Sequence, residues 1–72
     1  MEKSFYYVVT WDDASMLTKT LAALDIQYEV EQPGGILPLK DGELAIVFPD
    51  LQVRQFNDVR ELFGGVGERY PG

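Results

Sequence analysis

The chain of 72 residues contains neither cysteine nor histidine. Without thiols it can form no disulfide, thiolate nucleophile or cysteine-based zinc site, and without imidazole it lacks the commonest general base. Its paired acids have structural explanations, since Asp12 and Asp13 precede a predicted helix and Glu29 and Glu31 share one side of an alternating strand. The sequence therefore predicts a protein that is not an enzyme and that uses no metal ion or cofactor.

Basic residues are few, because six Lys and Arg stand against 12 Asp and Glu and give a formal net charge of −6. Binding of DNA or RNA begins with neutralisation of phosphates, so this balance disfavours nucleic acid as a direct ligand. The glycine clusters at 34–35 and 64–67 lack the Lys-Ser/Thr ending of a phosphate-binding loop. An acidic surface of this kind suits solubility or a basic partner protein.

Long hydrophobic runs are also absent, and no stretch approaches the roughly 18 apolar residues of a membrane helix. The first residues, 1–4, show no basic region followed by an apolar block, so no signal peptide is expected. We therefore expect a cytoplasmic protein without membrane contact. Apolar residues are nevertheless abundant at 46%, with 12% aromatics, which is enough for the core of one small domain.

Three segments have the composition of strands. Residues 44–48 form the most apolar run, which follows the turn sequence Asp41-Gly42 and stops at Pro49, as expected of a central strand. Residues 4–11 are mostly aromatic or β-branched and predict a first strand. Residues 26–32 alternate between apolar and polar side chains and predict a strand with one wet face.

Two helices are expected between and after these strands. Residues 13–24 place apolar side chains at three- and four-residue steps, with Asp12 and Asp13 as the N-terminal cap. Residues 50–63 form the second helix, with Asp50 as its cap and Gly64 as a left-handed C-terminal cap.

The sequence leaves two segments open. Residues 36–39 contain Pro38 and form either a loop or an edge strand that pairs with residues 44–48. Residues 65–72 form either a frayed glycine-rich tail or a short fourth strand through residues 66–70. The expected organisation is one domain over residues 1–64, followed by this tail or strand.

The order of elements, β-α-β-β-α with a possible final strand, predicts an α+β protein with a small ferredoxin-like (split βαβ) fold and two helices on one face of an antiparallel sheet. The RNA-recognition motif shares this order, but its stacking aromatics would fall on Glu43 and Ala45 when Phe48 takes the last aromatic position, so RNA binding is not expected. The pattern over residues 4–63 resembles small bacterial signal-transducing domains of ferredoxin-like topology, and this resemblance transfers no functional residue.

If one side of the sheet packs on the helices, the other side is expected to be open and unusually apolar. Trp11 and Tyr70 are residue types that often anchor interfaces. The predicted partner-binding residues are Tyr6, Val8, Thr10, Trp11, Val47 and Tyr70. The expected function is a small protein-interaction or regulatory module that acts through its sheet face or edge strand on a partner protein or on a second copy in a homodimer. The alternative is an acidic inhibitor of phage or mobile-element type that occupies a basic nucleic-acid-binding surface of its partner.

Overall fold

The computed structural model of the protein describes residues 1–71. The elements along the chain are β1 (Phe5–Thr10), α1 (Trp11–Ala23), β2 (Glu29–Glu31), β3 (Glu43–Phe48), α2 (Val53–Phe63) and β4 (Glu68–Arg69). The strands form one antiparallel sheet in the order β2-β3-β1-β4. The α+β class is confirmed, and this strand order is compatible with the ferredoxin-like topology. Within residues 1–71, neither helix has the length and hydrophobicity needed to cross a bilayer.

Both helices pack on the same side of the sheet, as predicted. Ile46 and Phe48 of β3 are fully buried there, together with Leu21 of α1 and Val59 of α2. The ring of Tyr7 stacks on Phe63 of α2 with 4.2 Å between ring centroids. The strongly apolar composition of β3 therefore results from its place in the middle of the sheet, covered on both sides.

The start of α1 corrects the predicted cap. Thr10, not Asp12 or Asp13, is the N-cap, and its Oγ1 accepts a hydrogen bond of 3.3 Å from the backbone N–H of Asp13. Because β1 passes into the helix without a linker, the last extended residue takes the capping position. The two aspartates lie in the first turn, where their charge favours the helix dipole.

The start of α2 also differs from the prediction. The helix begins at Val53 after Gln52, which makes no side-chain capping bond. Asp50 lies outside the helix, and its Oδ1 accepts a hydrogen bond of 2.8 Å from Ser4 Oγ. Gly64 ends the helix in the left-handed conformation with a φ of 78°, which confirms the predicted C-terminal cap.

The C-terminal segment contains a short fourth strand. In β4, Arg69 pairs with Phe5 and Glu68 pairs with Tyr6, while Gly72 of the predicted tail lies outside the described residues. Gly67 comes just before this strand and lies so close to β1 that a Cβ on it would be 2.6 Å from the carbonyl oxygen of Tyr6. Only glycine allows the chain to enter β4 at this position.

Residues 36–39 do not form an edge strand, because β2 itself pairs with β3. The segment turns sharply, with the N–H of Leu39 donating to the carbonyl of Leu37 at 2.9 Å. The expected turn at Asp41-Gly42 follows, with Gly42 at a φ of 86°. The loop interpretation of residues 36–39 is therefore correct, and the loop crosses the side of the sheet opposite the helices.

Candidate interaction site

The side of the sheet away from the helices, which we call the reverse face, is partly covered by the chain itself. Tyr6, Ala45 and Val47 lie buried there with Leu37, which is only 4% exposed. Leu39 packs against the same cluster. The prediction of an open sheet face is thus wrong for Tyr6 and Val47, because the loop before β3 supplies the apolar cover that this face needs.

Tyr70 completes the cover of the reverse face and is half-buried. Its ring meets Tyr6 edge-on at 6.2 Å between centroids, and its hydroxyl donates to Glu31 Oε2 at 2.7 Å. Lys3 Nζ reaches the same carboxylate oxygen at 2.6 Å. The predicted binding residue Tyr70 therefore joins the C-terminal segment to β2.

These contacts shift the acid–base equilibria of all three side chains. Burial acts to raise the pKa of Glu31, but the hydrogen bonds from Lys3 and Tyr70 outweigh it and hold this pKa below its ordinary value. The hydrogen bond to Glu31 raises the pKa of Lys3, and the hydrogen bond to Glu31 together with burial raises the pKa of Tyr70. The group is therefore held as a charged pair with a neutral phenol.

The other three predicted residues are exposed and lie together at the end of β1. Val8 is 43% exposed and Trp11 54% exposed, and Thr10 lies between them on the surface with its hydroxyl engaged as the helix cap. Of the predicted residues, those at the end of β1 are therefore exposed, whereas Tyr6 and Val47 are buried under the loop.

Trp11 lies beside an apolar groove between α1 and the edge strand β2. The groove has a volume of about 240 Å³ and is lined by Trp11, Ala14, Ser15, Thr18, Val30 and Leu44; we call it the Trp11 groove. Val30 is 42% exposed although its neighbour in register, Ile46, is fully buried, because β2 has a strand on one side only. The sequence alternation indicated an inward-facing Val30, and the predicted fold, with residues 44–48 between the first two strands, already placed this strand at an edge.

The same end of the molecule is acidic. Asp12 and Asp13 follow Trp11 in the first turn of α1, and Glu43 pairs in register with Thr10. Asp41 lies in the turn just before Glu43, where Lys40 is the nearest basic residue in the sequence. A ligand that approaches Trp11 therefore meets several carboxylates.

Polar groups deeper in the fold have structural partners. The hydroxyl of Tyr7 donates to the carbonyl oxygen of Gly65 at 2.7 Å, and burial raises the pKa of this phenol. Within residues 1–71, acidic side chains do not gather in a group of three or more that could hold a metal ion.

Comparison of the chain with protein-family models, curated proteins and solved structures finds no match.

Proposed function

We propose that this protein is a non-enzymatic interaction module that binds a partner protein through the Trp11 groove and the adjoining edge strand β2. The observation that carries the proposal is the exposure of Trp11, the one tryptophan of the chain, beside the exposed Val30. Tryptophan is among the residues that most often dominate binding energy when an interface buries it.

The edge strand adds a second means of recognition. β2 contacts β3 on one side, so the backbone groups of alternate residues point away from the sheet on the other. A strand from a partner can pair with these groups while one of its apolar side chains contacts Val30 and Trp11. The groove and the free edge together therefore support binding of an extended segment.

Charge favours a different protein over a second copy as the partner. Glu29 and Glu31 flank Val30 on β2. In an antiparallel pair of two copies centred on Val30, each Glu29 would face the Glu31 of the other copy. Lys3 pairs with Glu31, so each such site would hold two carboxylates and one ammonium group, and the excess negative charge directly across the strands destabilises a sheet. A partner with lysine or arginine at these positions avoids the repulsion.

The acidic residues beside Trp11 support a second candidate function. Asp12, Asp13, Asp41 and Glu43 lie at the end of the molecule where Trp11 is exposed. An acidic inhibitor that covers a basic nucleic-acid-binding surface of its partner needs such an arrangement of carboxylates. The two candidates differ in whether the bound partner can still hold nucleic acid.

The test compares capture of proteins from the native host by the wild-type chain, by Trp11→Ala and by Val53→Ala. Val53 is an exposed apolar residue at the start of α2 and serves as the matched control. A protein that wild type and Val53→Ala retain and Trp11→Ala loses is then purified, and its binding must shift the emission of Trp11 to shorter wavelength. Displacement of nucleic acid from that protein would support the inhibitor.

Light scattering on the purified chain separates the remaining outcomes. A concentration-dependent dimer that Trp11→Ala abolishes would assign the groove to a second copy. Capture that is unaffected by Trp11→Ala would contradict the proposal, because the exposed side chain would then contribute nothing to binding.

A further inference from the structure

A second free edge arises because β4 is shorter than β1. The two residues of β4 pair with Phe5 and Tyr6, whereas β1 continues to Thr10. Within residues 1–71, no strand lies beside the last part of β1 on this side. We call the edge from Tyr7 to Thr10 the β1 notch.

The backbone at the β1 notch is oriented to pair with an added strand. The carbonyl oxygen of Tyr6 points toward the β4 side, where it would collide with a Cβ on Gly67. Backbone groups of every second residue in a strand point to the same edge, so Val8 presents its N–H and C=O there. β4 does not reach Val8, and these groups can pair with one further strand.

A cavity with a mixed polar and apolar lining lies under the β1 notch on the helix side. It has a volume of about 460 Å³, and its apolar lining includes Tyr7, Val9, Met16, Leu17, Leu62 and Phe63. Met16 is largely exposed, while Val8 is exposed on the opposite face of the strand. Side chains of an added strand would alternate between these two surfaces, with every second one entering the cavity.

The charges around the cavity indicate what kind of strand fits. Asp13 and Glu43 contribute to its lining, and both carry carboxylates. Lysine or arginine two residues from the inserted apolar residue faces the same side of the added strand and would complement these charges. A second copy of the chain has a net charge of −6 and carries the same carboxylates at its own notch, so two notches repel each other.

We propose that the β1 notch takes up an extended segment of a partner protein in which lysine or arginine lies two residues from an apolar residue, so that both side chains face the cavity and the segment extends the strand position occupied by β4. This site is separate from the Trp11 groove, because Asp13 and Met16 line it on one side of α1 while Trp11 and Thr18 line the groove on the other. The proposal goes beyond the proposed function and does not depend on it.

The test titrates the isotope-labelled full chain with a short, end-blocked peptide in which valine and lysine occupy alternate positions of one face, with threonine between them. Binding in the β1 notch should slow hydrogen exchange of the Val8 amide and shift the methyl signal of Met16. A peptide with glutamate in place of lysine should bind with an affinity at least about tenfold lower. Added salt should lower the affinity of the lysine peptide. A peptide with proline at its central position loses an N–H and should also bind more weakly.

Two variants localise the binding. Met16→Lys places a positive charge at the cavity mouth and should reduce affinity for the lysine peptide by about tenfold. Val53→Lys makes the same type of change at an exposed site on α2 and should leave affinity unchanged. Because both residues are exposed, both variants should fold.

Three outcomes would overturn the proposal. The first is equal binding of the lysine and glutamate peptides, and the second is an unchanged exchange rate at Val8 with peptide bound. The third is a shift of the Val8 and Met16 signals with protein concentration in the absence of peptide, which would assign the notch to self-association. Because Trp11→Ala leaves the notch intact, it should not alter peptide binding, so failure here is distinct from failure at the groove.

Discussion

Asp25 follows Leu24, the C-cap of α1, and lies in the left-handed region of backbone space, with a φ of 58°. Its N–H donates to Ala22 at 3.1 Å, and the N–H of the following Ile26 donates to Leu21 at 3.0 Å. This pair of bonds is the Schellman arrangement, and Leu21 and Ile26 also pack together in the core. The position therefore needs a conformation that glycine adopts without strain and aspartate does not.

Replacing this residue should stabilise the protein. We expect Asp25→Gly to increase the free energy of unfolding by about 0.5–1 kcal/mol, because relief of the left-handed strain exceeds the added entropy of the unfolded chain. Urea denaturation measures the change. Asp25→Ala is the matched control, since it removes the carboxylate but keeps the Cβ. An equal gain in Asp25→Ala would show that charge, not backbone conformation, determines the effect.

At the scale of elements, the loop over the reverse face explains how a sheet this small is covered on both sides. Leu37 enters the cluster formed by Tyr6, Ala45 and Val47, while its neighbour Ile36 is 67% exposed. The two residues are adjacent and similar in size, so a comparison of their substitutions separates the effect of burial on stability from the effect of composition.

We expect Leu37→Ala to lower the free energy of unfolding by about 2–4 kcal/mol, through lost burial and the cavity left behind. Ile36→Ala should change it by less than about 0.5 kcal/mol, because the side chain is already in water. Chemical denaturation of both variants is the measurement. A small effect of Leu37→Ala would mean that the loop does not cover the sheet in solution.

The elements differ in how far the sequence predicted them. β1 and β3 were predictable because their runs of β-branched, aromatic and aliphatic residues suit a buried sheet. The start of α2 was not, because Asp50 bonds to Ser4, a partner distant in the sequence. The packing of Leu37 on the reverse face could not be predicted either, because an apolar segment with Pro38 has no periodicity that indicates what it packs against.

At the scale of the whole molecule, Lys3, Glu31 and Tyr70 join three distant parts of the chain across the reverse face. The lowered pKa of Glu31 means that its contribution to stability is present above about pH 4.5 and is lost as the pH falls through the folded-state value. The raised pKa values of Lys3 and Tyr70 have the opposite sign, so their contributions are present below about pH 10 and are lost as the pH rises further.

Glu31→Gln should therefore flatten the dependence of stability on pH at both the acidic and the alkaline end. The effect is small, because these side chains keep solvent contact and exposed ion pairs are weak. Glu29→Gln is the matched control, since it removes an exposed carboxylate from the same strand. Urea midpoints across the pH range measure the comparison, and identical curves for the two variants would show that the three-residue group does not act as described.

The sequence predicted the exposure of some residues of the candidate site correctly and of others wrongly. Val8 and Thr10 are on the surface because they lie where β1 ends and the loop no longer covers the sheet, whereas Trp11 begins α1 and is exposed beside the groove between α1 and β2. Tyr6 and Val47 are not, although the alternation of β1 and β3 gives all of these residues except Trp11 the same face. Alternation thus assigns a residue to a side of the sheet, whereas exposure depends on segments that cross that side later in the chain.

The order β2-β3-β1-β4 has a consequence for how the chain reaches its native state. β1 precedes both of its neighbours, so its hydrogen bonds form only after residues 43–48 and 68–69 have returned to it. The helices form from local contacts, and we therefore expect closure of these long loops to limit the folding rate. Until β4 pairs with β1, one edge of β1 has no hydrogen-bonded neighbour along its full length. Nascent or partly folded chains are therefore the species most prone to aggregate.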